Sequence, residues 1–157
     1  MIRQFEQSDI NQLAEFIMTQ SKEIGGDGFA DANIERIVSF IKGWSMSADC
    51  IIFVDEKDRI IRGYAMAQLD SIPWSGKPIC QMNVFYVAPE HRNGHIANNL
   101  FDSVEYWAKQ NDCCHMINSV LMYDKDCLPQ HDFIENAHSF FSRKMTECGV
   151  SYVKEIL

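Results

Sequence analysis

The chain has 157 residues, 46% of them hydrophobic and 23% charged, which fits a single domain over 1–157 and excludes a disordered chain. Its 22 acidic and 14 basic residues give a net charge of −8, spread evenly: 12 acids and 8 bases precede residue 79, and 10 and 6 follow. No basic stripe is available to neutralise phosphates, which argues against a nucleic-acid partner, and no apolar run approaches the ~20 residues of a membrane helix.

Residues 1–6 read as a short strand, with Glu6 where an export leader would be apolar, so the expected location is cytoplasmic. Ser8 offers an N-cap to a helix carrying Leu13, Phe16 and Ile17 on one face. After a glycine-rich break at 25–28, Asp31 can cap a second helix with Ile34, Ile37, Val38 and Ile41, and Gly43 is expected to stop it. Residues 50–54 and 60–69 read as a hairpin around a polar turn at 55–58. A loop at 71–78, rich in turn formers, leads to a strand at 79–87. Ile96, Leu100, Phe101, Val104, Trp107 and Ala108 mark an amphipathic helix, followed by a strand at 115–123 and a polar loop at 124–130. Phe133, Ala137, Phe140 and Phe141 trace a last helix, and a closing strand fits 151–156. The order β α α β β β α β α β predicts a mixed α/β domain.

The six cysteines, at 50, 80, 113, 114, 127 and 148, have no C-x-x-C spacing. They read as reduced, small buried hydrophobes, and no metal site is expected.

The sharpest chemical signal lies where the 79–87 strand stops at Pro89 and a turn containing Gly94 opens a helix. The first-turn N–H groups of that helix and its positive dipole end make an anion site suited to a pyrophosphate, and Arg92 adds a charge. The segment has neither G-x-G-x-x-G nor a P-loop pattern. Val87, Pro89, Arg92, Ile96 and Ala97 instead fit V-x-P-x-x-[Q/R]-x-x-G-x-[G/A] in register, with His95 at the central glycine. This segment resembles the pyrophosphate motif of the GNAT superfamily of acyl-CoA-dependent N-acetyltransferases, and the element order matches that superfamily over most of the chain.

The resemblance implies a mostly antiparallel central sheet with helices on both faces, and acetyl-CoA as co-substrate in a gap between the fourth and fifth strands. Phe85, Tyr86 and Val87 would then line the pantetheine through their backbone. Arg92, Asn93, Gly94, His95, Ile96 and Ala97 would hold the pyrophosphate, and Asn136 and Phe141 would touch the pantetheine arm. Phe141 stands where the family often has a tyrosine acid, and a phenyl ring has no proton to give. Tyr123 is the substitute acid. The fourth strand carries the amides Gln81 and Asn83 where a base often sits, so Asp70 and His138 are the candidate bases, with Asp124 and Asp126 behind them. The implied reaction is direct attack by a primary amine, either a small cationic amine or a protein amine, in a ternary complex. The alternative is a catalytically degenerate fold of this type that binds CoA or a protein partner. The closing strand leaves an edge suited to a homodimer.

Overall fold

A computed structural model of the chain describes residues 1–24, 32–92, 94–118 and 131–146. The elements are β1 (Ile2–Gln4), α1 (Ile10–Ile24), α2 (Ile34–Met46), β2 (Cys50–Lys57), β3 (Ile60–Ser71), β4 (Pro78–Val87), α3 (Ile96–Gln110), β5 (His115–Asn118) and α4 (His131–Lys144). The five strands form one sheet in the order β1-β2-β3-β4-β5. All neighbours are antiparallel except β4 and β5, which are parallel and joined through α3. This is the mixed, mostly antiparallel architecture the element order implies.

Alternation along β3 divides the core between the two faces of the sheet. Tyr64 and Met66 join Leu13 of α1 and Ile41 of α2 on one face. Ala65 and Ala67 join Leu100, Phe101 and Val104 of α3 on the other, where Phe140 and Phe141 of α4 also pack. The small side chains at 65 and 67 let α3 lie close to the sheet.

Four local expectations are corrected. Ser8 lies inside a 3-10 turn, Gln7–Asp9, and it is the Asp9 carboxylate that accepts the Glu6 N–H at 2.8 Å. Asp31 is outside the described residues, and Asn33 caps α2 by accepting the N–H groups of Glu35 and Arg36 at 2.9 and 3.1 Å. Gly43 does not end α2, which runs on to Met46 with the Trp44 indole N–H reaching the Ile51 carbonyl at 3.3 Å. The β2–β3 turn is also tighter than expected. Strand β2 continues through Asp55, Glu56 and Lys57, and Asp58 and Arg59 alone turn the chain with φ of 53° and 65°. Asp55 tolerates its buried place because Arg62 holds it at 2.5 Å and the Met1 amine at 3.2 Å. The outer part of the 115–123 strand, the 124–130 loop and the closing strand at 151–156 lie outside the described residues.

A Cβ added at Gly43 would meet nothing within 4 Å. Gly43→Ala is therefore expected to stabilise the protein by about 0.5–1 kcal/mol, read from urea unfolding, by removing glycine's entropy cost from a helix interior.

Candidate functional site

Strand β4 delivers its C-terminal end to the start of α3 through a compact turn. The Ala88 N–H bonds the Arg62 carbonyl at 2.9 Å, and a 3-10 turn over Pro89–His91 follows. Helix α3 is anchored from its first residue, since Ile96 and Leu100 are buried. His95 stands at the N-cap with an exposed side chain that caps nothing. As in any α-helix, the first-turn N–H groups have no intrahelical partner, so the end of α3, which His95 leaves without a side-chain cap, offers donors and a positive dipole end to an outside anion. Gly94 is exposed, and a Cβ there would meet only the His91 carbonyl oxygen, at 3.7 Å. An open cleft of about 430 Å³ borders the turn on the side of Arg62, with His91, Gly94, His95 and Asn99 among its lining.

Arg92 occupies a different place from that of a free positive charge. Its Nε–H donates to the Val87 carbonyl at 2.9 Å, and its two terminal nitrogens hold Glu23 of α1 at 2.6 and 2.7 Å. The guanidinium lies 5.4 Å from the Tyr86 ring centroid, and the Tyr86 hydroxyl donates to Glu23 at 2.5 Å. Burial would raise the Glu23 pKa, but the bonds from Arg92 and Tyr86 and the charge of Arg92 outweigh it and hold the carboxyl below its ordinary value. Burial and the Glu23 bond push the Tyr86 phenol far above its usual range, so it stays a donor. Glu23 is absent from the sequence-based candidates. Nothing local in the sequence separates it from a solvated glutamate late in a helix, because its partners lie more than sixty residues away.

The other end of the site is aromatic. Phe85 stacks on Phe140 at 5.6 Å and 23°, and meets Phe141 edge-on at 5.4 Å and 72°, while Phe101 completes the group. Phe141 thus packs, partly buried, against Phe85, one of the strand residues expected to line the same arm. On β4, Met66 faces Val84 whereas Ala67 faces Met82, so Asn83 is an extra, bulged residue, and it is exposed. Among the described residues, β4 pairs with β5 only from Ile79 to Met82, and residues 83–87 have no described β5 partner.

The sequence-derived residues therefore fall into groups. Tyr86, Val87, Arg92, Gly94, His95, Ile96 and Ala97 share the C-terminal end of β4, and Phe85 and Phe141 touch one another. Asn136 and His138 are exposed on α4. Asp70 is not with them: it pairs with Ile79, about 26 Å along β4 from Val87 at ~3.3 Å per residue, and its carboxylate accepts the Ser71 N–H at 2.7 Å. Asn93, Tyr123, Asp124 and Asp126 lie outside the described residues. Of the described cysteines only Cys80 is buried as expected, while Cys50 and Cys113 are half-buried and Cys114 is exposed. Burial, with Cys113 nearby, pushes the Cys80 thiol up to about 12, which keeps it neutral. No helix among the described residues is long and apolar enough to cross a membrane.

Comparison with known proteins agrees with this geometry. A family model described as "Acetyltransferase (GNAT) family" matches residues 12–128. No curated protein matches the sequence. Solved structures share the fold at low identity. An aminoglycoside N-acetyltransferase in complex with CoA has TM-score 0.72 and 16% identity, covering 99% of this chain and 95% of that one. A ribosomal-protein-alanine N-acetyltransferase from Brucella melitensis biovar Abortus 2308 has TM-score 0.74 and 13% identity, with 99% and 98% covered. A transcriptional regulator from Bacillus halodurans C-125 has TM-score 0.76 and 14% identity, with 100% and 99% covered. Acetyl-CoA as co-substrate agrees with the CoA and the CoA-linked bisubstrate analogue in structures of the aminoglycoside enzyme. With three quarters of its length matched by the family model, and its strand, turn and helix arranged as the motif demands, the chain belongs to the GNAT acetyltransferase family.

Proposed function

We propose that the protein is an N-acetyltransferase that moves an acetyl group from acetyl-CoA to a primary amine of a small cationic molecule or a protein. The observation that carries this reading is the N-terminus of α3, which His95 leaves without a side-chain cap, seated at the end of β4 by the V-x-P-x-x-R segment. Its first-turn amides suit the diphosphate of CoA, with the backbone of Phe85, Tyr86 and Val87 on the way to it. Reaction is by direct attack: the neutral amine nitrogen forms a bond to the thioester carbonyl carbon, the C–S bond breaks, and the ammonium proton leaves through a base or water. The chain's contribution is to hold the two reactants together and to supply donors for the developing charge. His138, one helical turn before Phe141, is better placed for the base role than Asp70 at the far end of β4, and Tyr123 is the acid of this scheme. A homodimer through the C-terminal edge fits the same reading.

Two observations favour a second reading, binding without efficient turnover. Phe141 is packed among Phe85, Phe101 and Phe140 and has no proton to give, and β4 carries amides at Gln81 and Asn83.

Calorimetry with CoA, followed by thiol release from acetyl-CoA over a panel of amines, tests both. Ala97→Glu sets a carboxylate in the first turn of α3, where the helix dipole favours it for folding but where it repels a diphosphate. The expected result is micromolar binding by the natural protein and at least about ten-fold weaker binding by Ala97→Glu, since one opposed charge at a helix end is worth this much in a partly buried site. Binding with no thiol release on any amine supports the second reading in its CoA-binding form, and absence of CoA binding overturns the enzyme reading and leaves a degenerate fold that binds a protein partner.

A further inference from the structure

The turn that opens α3 is braced from an element remote in sequence. Glu23 sits on the last turn of α1, 69 positions before Arg92, and holds the guanidinium with both carboxylate oxygens. The third nitrogen of Arg92 bonds the Val87 carbonyl, the last of β4. One side chain therefore ties the end of the strand, the turn and α1 together. Tyr86 reinforces the tie through its hydroxyl on Glu23 and its ring beneath Arg92. The pair is largely enclosed, with the side chains of Arg92 and Glu23 27% and 16% exposed.

This arrangement separates two roles a cation at Arg92 could have. A guanidinium in a bidentate carboxylate pair is electrically offset and has its N–H fork occupied, so it is a poor direct ligand for a diphosphate. Its remaining use is geometric. The turn leads into α3, whose first-turn amides lack intrahelical partners, and amides bind an anion best when their directions are set beforehand.

We propose that Glu23 is a positioning residue for CoA binding, holding Arg92 so that the turn keeps the α3 amides aimed at the diphosphate. The inference rests on the acetyl-CoA reading above. It differs from two simpler roles. If Glu23 merely offset the charge of Arg92, removing it would bare a cation beside an anion site and tighten binding. If it merely helped α1 to pack, removing it would lower the melting temperature and leave the affinity of folded protein unchanged.

The test compares the full chain with its Glu23→Ala, Glu23→Gln and Arg92→Ala variants and the Glu23→Ala/Arg92→Ala double variant. CoA affinity is measured by calorimetry below each variant's melting transition. The expected result is a Kd about ten-fold higher for Glu23→Ala, and about three-fold higher for Glu23→Gln, which keeps an acceptor oxygen for Arg92 and Tyr86. The double variant is expected to bind no more weakly than Arg92→Ala alone, because both changes act through one pair. On an amine that is turned over, the KM for acetyl-CoA follows the Kd, while kcat at saturation stays within about two-fold. Where Glu23→Ala does not fold, Glu23→Gln carries the comparison. Unchanged or tighter binding by the folded Glu23 variants, or additive losses in the double variant, overturns the proposal while the acetyltransferase reading stands. A natural protein that does not bind CoA overturns that reading and this inference with it.

Discussion

Valine in place of Gly63 is expected to lower stability by about 2–3 kcal/mol and to weaken CoA binding in the same protein. Gly63 lies on β3 opposite Val87 of β4 and Asp55 of β2, where α3 begins to cross the sheet. A Cβ there would come to 3.1 Å from both Ile96 Cγ2 and the Tyr86 carbonyl oxygen, and to 3.2 Å from Leu100 Cδ1. Against a single methyl the Ile96 and Leu100 side chains can yield by a few tenths of an ångström, but the Tyr86 carbonyl belongs to the sheet and cannot, so alanine already costs some stability. The two methyls of valine must then displace Ile96 and Leu100, which are the residues that seat the first turns of α3. Overpacking here moves the helix end whose amides are proposed to hold the diphosphate, so stability and affinity are expected to change together. Urea unfolding and calorimetry on Gly63→Ala and Gly63→Val check this, with a graded loss of both expected. A destabilised Gly63→Val that binds CoA normally would break the link.

How much of this was legible beforehand follows from the range of the interactions concerned. The β4–turn–α3 segment could be read because its signals are local: an apolar strand stopped at Pro89, a glycine in the turn, and buried positions recurring along α3. The same locality made Phe140 and Phe141 visible, though not their packing on Phe85, which only the fold brings together. Asp55 misled for the opposite reason. A run of charged residues reads as a turn, yet here an arginine seven positions on and the chain's own amine satisfy the carboxylate inside a strand. Gly43 misled because helix propensity is a weak prior that the packing of Ile41 and Trp44 overrides. Glu23 could not have been found at all. Its meaning comes from Arg92 and Tyr86, more than sixty residues away, and no spacing rule links them.

This contrast also bears on chemistry. The proposed cofactor end of the site relies on backbone, where side-chain identity matters little, whereas proton transfer needs one side chain at one place. Asp70 has the right chemical type, but the register of β3 on β4 puts it at the Ile79 level, away from the turn. A strand's direction and pairing decide such questions, and a residue type alone does not.

The second large effect is expected at the other charged cluster, where β1 passes into α1. Asp9 is held by Arg3 through two bonds, 2.7 and 2.8 Å, and accepts the Glu6 N–H at 2.8 Å, while Arg3 also grips Glu56 at the end of β2. Asp9→Ala leaves the Glu6 N–H unmet and Arg3 half-paired in a mostly buried place, which is expected to cost about 2–3 kcal/mol at neutral pH. The hydrogen bonds from Arg3 hold the Asp9 carboxyl below its ordinary pKa, against a smaller opposing effect of burial, and the Glu6 N–H and the Arg3 charge add to the lowering. A carboxyl whose folded pKa is depressed contributes its stability above the unfolded value, roughly pH 4, and loses it as pH falls through the folded value. The stability gap between the natural protein and Asp9→Ala is therefore expected to be constant from pH 7 to 5 and to narrow below about pH 4. Glu23, depressed for a similar reason, adds to the acid sensitivity of both proteins alike and so drops out of the difference. Urea unfolding of the two proteins at pH 7, 5 and 3 measures it, and a gap that stays the same at pH 3 would show that Asp9 acts through packing and backbone capping rather than through its charge.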